Sequence, residues 1–65
     1  MQVEVNGKPA TIAAADLAAL MAELGHDPDT HATAHNGQFV PRAARAATAL
    51  SDGDRVEILR PMYGG

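Results

Sequence analysis

One short segment of the sequence has the spacing of a helix that packs on a core. Four apolar side chains recur in it at intervals of three and four residues: Leu17, Leu20, Met21 and Leu24. Asp16 is suited to accept hydrogen bonds from the free amides of the first turn, and Gly25 to end the helix in a left-handed conformation. A single helix must bury its apolar stripe against other elements, so the rest of the chain has to supply a sheet.

The segment before this helix has the pattern of a β-hairpin. Residues 1–6, MQVEVN, alternate apolar and polar side chains, as a strand with one buried face does. The pair Asn6–Gly7 that follows supplies the positive φ angles of a tight turn. We expect residues 9–12 to return as the second strand, at a sheet edge because Pro9 has no amide hydrogen to donate.

A second predicted hairpin follows the helix and a loop. Residues 31–35, HATAH, indicate a third strand, with Ala32 and Ala34 expected to face the core. A second Asn-Gly turn at Asn36–Gly37 joins it to a short strand over residues 38–40. The helix therefore lies between two hairpins in the sequence.

The last strand is predicted near the C-terminal end of the sequence. Residues 41–49 indicate an irregular or short helical connection, and Gly53 in the stretch SDGD suits a turn. Residues 55–60, RVEILR, then alternate so that Val56 and Ile58 face the core. The opposite face receives Arg55, Glu57 and Leu59.

Some apolar side chains are expected on the face of the sheet that the helix does not cover. Strand parity points Leu59 away from the helix, together with one of Phe39 or Val40. Several apolar residues on one exposed face are typical of a docking surface. We therefore interpret Leu59 and Phe39 as candidate partner-binding residues.

The composition excludes several classes of function. The chain has 65 residues, which suffices for one small core but leaves no room for a large catalytic cleft. It has no cysteine, which excludes disulfides, thiolate zinc sites and thiol nucleophiles. A net charge of −3 with five Lys plus Arg argues against nucleic-acid binding. Neither a signal peptide nor an apolar run of about 20 residues is visible, so we expect a cytoplasmic protein.

The remaining polar residues are interpreted as surface and turn residues. His31 and His35 share a strand face, but about 13 Å would separate them, too far for one metal ion, so we expect solvated histidines and no metal site. Asp52 and Asp54 flank a glycine and are assigned to turn chemistry. Solvated surface charge is also expected for most arginines, with Arg60 the best candidate to pair with a partner. These arginines are Arg42, Arg45, Arg55 and Arg60.

The whole chain resembles the sulfur-carrier proteins of bacterial thiamine biosynthesis, of the ThiS type. The matching stretches are, in order, VNGK at 5–8, DLAALMAELG at 16–25, HNGQFVPR at 35–42, DGDRVEI at 52–58 and Gly64–Gly65. The resemblance implies an α+β fold, the ubiquitin-like β-grasp, with a mixed sheet of four to five strands packed on one helix. We expect that domain to cover residues 1–61, because Pro61 cannot continue a strand, and a flexible Gly-Gly tail to cover 62–65.

The resemblance also implies that Gly65, the last residue of the sequence, carries the reactive group. Its carboxylate is adenylated with ATP and magnesium on a separate enzyme, converted to a thiocarboxylate and used as a sulfur donor. Gly64 lacks a β-carbon, so its backbone suits entry into a narrow channel. On this view the chain is a protein cosubstrate that binds no cofactor of its own, and not an enzyme.

Three kinds of partner are implied by the resemblance: an E1-like adenylating enzyme, thiazole synthase, and a sulfur source such as a cysteine desulfurase. We expect a monomer when the protein is free, with no nucleic-acid or membrane partner. Arg60, Met62 and Tyr63 precede the two glycines and are candidate partner-binding residues. Met62 and Tyr63 would equally suit the end of the core.

Two alternatives stay open. A sulfur carrier of another pathway, serving molybdopterin, cysteine or tRNA thiolation, would share the fold and the Gly-Gly end, although the short chain favours the thiamine branch. A non-enzymatic β-grasp binding module, such as an RNA-interacting domain, belongs to a different class. In that case Gly64–Gly65 would be an ordinary frayed terminus.

Overall fold

The computed structural model describes residues 1–60 and contains five strands and one α-helix. The elements are β1 (Gln2–Val5), β2 (Lys8–Thr11), α1 (Leu17–Glu23), β3 (Ala32–His35), β4 (Gln38–Val40), a 3₁₀ helix (Arg42–Ala47) and β5 (Arg55–Leu59). The predicted order of elements is confirmed, including a short helical connection before the last strand. The predicted tail at 62–65 and the expected boundary at Pro61 lie outside the described residues.

The strands form one mixed sheet in the order β2-β1-β5-β3-β4. β1 and β5 are parallel, and the other neighbouring pairs are antiparallel. β5 therefore lies in the centre, between the two hairpins that were predicted from the sequence. β2 occupies a sheet edge, where the missing amide hydrogen of Pro9 costs no ladder bond.

Both hairpins turn on an Asn-Gly pair, as predicted. Asn6 and Gly7 have φ angles of 50° and 81°, and Asn36 and Gly37 have φ angles of 50° and 85°. Two successive positive φ angles twist the chain in the sense that the flanking strands require. Asparagine tolerates this conformation better than most residues with a side chain, and glycine adopts it without steric cost.

Helix α1 begins and ends at the residues that the sequence indicates. The side chain of Asp16 accepts a hydrogen bond of 2.8 Å from the amide of Ala19, as an N-cap does. Gly25 follows the helix with a φ of 78°. The placement of Leu24 on the buried stripe was wrong: it is the C-cap residue and is 38% exposed, because the helix has ended before it.

The core lies between α1 and one face of the sheet. Its buried apolar residues are Val3, Ile12, Ala14, Leu17, Leu20, Met21, Val40, Leu50, Val56 and Ile58. Members come from β1, the helix, β4 and β5, and the partly buried Ala10 of β2 packs against the same cluster. No helix within residues 1–60 has the length and apolar character needed to cross a membrane.

The prediction for β3 was wrong about which residues face the core. Thr33, not its alanine neighbours, is buried, with 2% of its surface exposed. Its antiparallel partner is the buried Ile58, whereas Ala32 and Ala34 pair with residues of the outer face. The buried hydroxyl donates a hydrogen bond of 2.8 Å to the carbonyl of Val40, so no polar group is left unsatisfied there.

Candidate functional site

The face of the sheet opposite α1 carries an exposed apolar surface, which we call the open-face patch: Ala32, Ala34, Phe39 and Leu59. Phe39 is 71% exposed and Leu59 is 56% exposed. Ala32 and Ala34 are two residues apart on β3 and so lie on the same face. Ala34 pairs with Phe39 of β4, and Ala32 pairs with Leu59 of β5, so all four residues share that face. The expectation that one of Phe39 or Val40 points outward is confirmed for Phe39, since Val40 is buried.

Charged residues adjoin the open-face patch on the same side of the sheet. Glu4 of β1 pairs with Arg55 of β5, and Glu57 follows on β5 with the same orientation. Together with Leu59 they line a shallow, open depression of about 470 Å³. The open side of the sheet thus combines an apolar half near β4 with a charged half near β1, a composition typical of a binding surface.

β5 ends within the open-face patch. Leu59 is the last residue of β5, and Arg60 follows it and is exposed. Of the sequence-predicted site residues, Phe39 and Leu59 lie together on the open side of the sheet, and Arg60 is exposed directly after Leu59. The other four, Met62, Tyr63, Gly64 and Gly65, lie outside the described residues.

Arg45 is a correction to the expectation of solvated surface arginines. It is 4% exposed, and its guanidinium donates to Thr33 Oγ1 at 3.0 Å, Pro28 O at 3.0 Å and His31 O at 2.5 Å. A buried guanidinium needs such acceptors because an unsatisfied buried charge is costly. Arg45 therefore fastens the 3₁₀ helix to β3 and to the loop before it, and is not free to bind a partner.

The other arginines are exposed. Arg42 forms an ion pair with Asp29, and both side chains are about two-thirds exposed, at 65% and 64%. Arg55 is exposed on the open side of the sheet, where it pairs with Glu4, and Arg60 is exposed directly after β5.

His35 and Asp54 make a side-chain hydrogen bond that the sequence interpretation missed. His35 Nε2 lies 2.7 Å from Asp54 Oδ2, and the two side chains are 21% and 15% exposed. Asp54 also accepts a hydrogen bond of 2.9 Å from the amide of Ser51 and one of 3.3 Å from Asn36 Nδ2. The hydrogen bond from His35, followed by that from Ser51, holds the pKa of Asp54 below its ordinary value. Asp54 thus caps its turn, as expected, and also binds β3.

The other two histidines have local structural contacts. The rings of His26 and His31 meet edge to face with centroids 5.0 Å apart, and His31 Nδ1 lies 2.9 Å from the carbonyl oxygen of Asp27. Within residues 1–60, no three His, Asp or Glu side chains are grouped as a metal site requires.

Two residues with a role near the site had weak or no sequence signals. The buried position of Arg45 follows from its place beside Thr33, which only the tertiary structure shows. Asn6 was singled out for its turn, but its side chain also bonds β5: Oδ1 accepts from the amide of Ile58 at 2.9 Å, and Nδ2 donates to the carbonyl of Ile58 at 3.0 Å. The one sequence signal that could have indicated this contact is the position of Asn6 directly after the alternating residues of β1.

Comparisons with known proteins agree on one family. The model of the ThiS family matches residues 3–65. The crystal structure of the thiamine biosynthesis protein ThiS from Geobacter metallireducens is 36% identical, with both chains covered in full and a TM-score of 0.86. A solution structure of a thiamine biosynthesis protein from the same organism gives 36% identity and a TM-score of 0.80, covering all of this chain and 88% of that one.

A curated relative extends the comparison to a larger protein. A thiazole synthase from Paramagnetospirillum magneticum is 35% identical over 66 residues, which include the whole of this chain but only 20% of that protein. The chain thus spans about a fifth of the length of the curated relative it matches. The five-stranded mixed sheet, the single α-helix and the family match over residues 3–65 lead to one assignment. This chain belongs to the ThiS family and has its ubiquitin-like β-grasp fold.

Proposed function

We propose that this protein is a sulfur carrier in thiamine biosynthesis and that the carboxylate of Gly65 carries the sulfur. The observation that supports the proposal most is the ThiS family match, which runs through Gly64 and Gly65. The absence of cysteine from the sequence supports it as well, because the chain has no thiol that could hold transferable sulfur. A carboxylate that is converted to a thiocarboxylate can hold transferable sulfur without a thiol.

The proposed cycle has two steps on the activating enzyme and one on the acceptor enzyme. A carboxylate oxygen of Gly65 attacks the α-phosphorus of ATP, pyrophosphate leaves, and an acyl adenylate forms. A sulfide-level sulfur atom then attacks the acyl carbon and displaces AMP, which gives the thiocarboxylate. Transfer of this sulfur to the thiazole precursor, with return of an oxygen atom to the acyl carbon, regenerates the carboxylate. ATP and magnesium belong to the activating enzyme, so the carrier is a cosubstrate and not an enzyme.

The open-face patch is the proposed docking surface for these partners. Phe39 is 71% exposed and Leu59 56% exposed, although each could contribute about 1.5–3 kcal/mol if it were buried. Arg60 directly follows Leu59, is exposed, and is proposed to pair with a carboxylate of the partner. Met62 and Tyr63 are proposed to contact the channel that receives the glycines. Binding through this surface would offset the entropy lost when residues are ordered in a partner.

Thiazole synthase is the proposed acceptor of the sulfur. In the relative from Paramagnetospirillum magneticum, the region similar to this chain is part of a protein named thiazole synthase. The presence of such a region in that polypeptide supports a direct encounter between carrier and synthase. It also favours thiamine over molybdopterin, cysteine or tRNA thiolation as the pathway served. An E1-like adenylating enzyme and a cysteine desulfurase complete the proposed set of partners.

Deletion of Gly65 tests the proposal. We expect the truncated protein to keep the circular dichroism and the unfolding midpoint of the intact chain, since the core lies within residues 3–58. We expect it to support no thiazole formation with the activating enzyme, sulfur source and synthase present. The matched control is Lys8→Ala, an exposed change on the edge strand β2, which should transfer sulfur normally. Undiminished transfer by the truncated protein would contradict the proposal.

A further inference from the structure

The two Asn-Gly turns hold the central strand β5 from opposite sides, and both do so with the asparagine side chain. On the β1 side, Asn6 contacts Ile58, and on the β3 side, Asn36 contacts Arg55. Each asparagine also donates its backbone amide to β5, Asn6 to Val56 O at 2.9 Å and Asn36 to Arg55 O at 2.8 Å. The same residue type, at the same turn position, thus binds the two ends of one strand.

Asn6 extends the parallel ladder beyond the end of β1. The last backbone pair between the two strands is Val5 with Val56, after which the chain turns away into the hairpin. The side-chain amide of Asn6 then takes both backbone groups of Ile58, accepting from its N–H at 2.9 Å and donating to its C=O at 3.0 Å. It supplies the peptide-like donor and acceptor that a continuing strand would have presented.

Asn36 holds the other end of β5 in a different way. Its Oδ1 accepts from the amide of Arg55 at 2.9 Å, while its Nδ2 donates to the carboxylate of Asp54 at 3.3 Å. Arg55 is the first residue of β5, and Ile58 is the residue before the last. Asn36 therefore holds the strand at its first residue, and Asn6 holds it at the residue before its last, on the side away from β3.

We propose that Asn6 is a positioning residue for sulfur transfer. Its two hydrogen bonds to Ile58 hold the strand from which the sequence continues through Arg60 to Gly65. This inference rests on the proposed function of Gly65. Ile58 lies two residues before Arg60 and next to Leu59 of the open-face patch, so the contact links the docking surface to the chain that carries the reactive carboxylate. Without the contact between Asn6 and Ile58, the end of β5 is held less firmly on its β1 side when the open-face patch docks.

Only asparagine meets all the requirements at this position. The residue must adopt a φ of 50°, which asparagine, aspartate and glycine tolerate best. It must also accept one hydrogen bond and donate another to the same residue. Glycine at position 6 would keep the turn and lose both bonds to Ile58, and aspartate would keep the acceptor and lose the donor.

The test compares Asn6→Gly with the matched variant Asn36→Gly. Both keep an allowed turn, and both remove an asparagine that bonds β5, so we expect similar losses of unfolding free energy. The rate of pyrophosphate release by the activating enzyme, measured against carrier concentration, should separate them. We expect kcat/KM to fall about tenfold for Asn6→Gly, mainly through KM, because more of the chain must be ordered on binding. Asn36→Gly should stay within about twofold of the unaltered protein.

Amide hydrogen exchange gives a second readout that does not depend on sulfur transfer. We expect the Ile58 amide to exchange faster in Asn6→Gly and the Arg55 amide to exchange faster in Asn36→Gly. Asn6→Asp retains an acceptor for Ile58 N–H, so it should protect that amide and lose less kcat/KM than Asn6→Gly. Equal kinetic losses in the two glycine variants, or an unchanged Ile58 amide in Asn6→Gly, would overturn the positioning role. Failure of the unaltered protein to be adenylated would instead overturn the proposed function beneath it.

Discussion

Apolar residues are buried on the helix-facing side of the sheet and exposed on its open side. On β5, Ile58 is 3% exposed and packs in the core, whereas its neighbour Leu59 is 56% exposed on the open side. On β4, Val40 is 8% exposed and Phe39 is 71% exposed. Strand geometry alternates the faces, so the inward residues determine the fold while the outward ones are free to serve binding.

The contrast extends to polar residues. The inward side includes Thr33 and Arg45, at 2% and 4% exposure, whose polar atoms find hydrogen-bond partners inside the protein. The open side includes Arg55 and Glu57, which are exposed. A substitution should therefore affect stability if it lies on the inward side and partner binding if it lies on the open side.

The largest expected effect on stability comes from Ile58→Ala compared with Leu59→Ala. We expect Ile58→Ala to lower the free energy of unfolding by about 3 kcal/mol, since it removes buried methyl groups and leaves a cavity. Leu59→Ala should cost no more than about 0.5 kcal/mol, as exposed substitutions do. Urea unfolding followed by circular dichroism measures both. Equal losses would show that the two faces of β5 do not differ in the way described.

Arg45→Met extends the comparison to the buried arginine. The variant leaves the acceptors Thr33 Oγ1, Pro28 O and His31 O without their donor, and we expect it to lose about 2 kcal/mol of unfolding free energy. Arg42→Met removes an exposed ion pair with Asp29 and should lose at most about 1 kcal/mol. A smaller loss for Arg45→Met than for its control would contradict the assigned role.

A smaller and pH-dependent effect is expected for Asp54→Asn. The folded protein holds the pKa of Asp54 below its ordinary value of 3.8, so the charged carboxylate stabilises the fold at higher pH. That contribution is fully present above pH 3.8 and is lost as the pH falls through the lower folded pKa. We expect Asp54→Asn to cost about 1 kcal/mol at neutral pH and progressively less below this value.

Unfolding at a series of pH values measures the effect of Asp54→Asn, with the exposed Asp29→Asn as the control. The control should show little loss at any pH, because the carboxylate of Asp29 is 64% exposed to solvent. A loss for Asp54→Asn that stays constant from neutral pH to strongly acidic pH would contradict the charge-based explanation.

Phe39→Ala should have the smallest effect on stability and a large one on binding. With 71% of the residue exposed, the loss of unfolding free energy should not exceed about 0.5 kcal/mol. Binding to the activating enzyme should weaken about tenfold or more, as loss of an aromatic anchor does. Leu24→Ala, an exposed apolar change at the end of α1, is the control and should leave affinity unchanged. If calorimetry gave the same affinity for Phe39→Ala as for the unaltered protein, the open-face patch would not be the docking surface for the activating enzyme.

Much of the fold was predictable because local signals were strong. The Asn-Gly pairs determined both hairpins, Asp16 and Gly25 bounded the helix, and parity placed Val56 correctly. β3 was predicted with the wrong face inward because HATAH offers only small apolar residues, and Thr33 is buried through partners distant in sequence. The burial of Arg45 and the pairing of His35 with Asp54 were not predicted for the same reason, since both depend on tertiary contacts. For the site, parity predicted the exposure of Leu59, and the roles of residues 61–65 remain predictions.

The most direct test of the central claim is the intact mass of the protein after reaction with ATP, magnesium, a sulfide source and an adenylating enzyme that activates ThiS-family carriers. We expect a gain in mass equal to the replacement of one oxygen by one sulfur, located by fragmentation in the peptide that ends at Gly65. An unchanged mass, with the same enzyme shown to convert its own carrier, would contradict it.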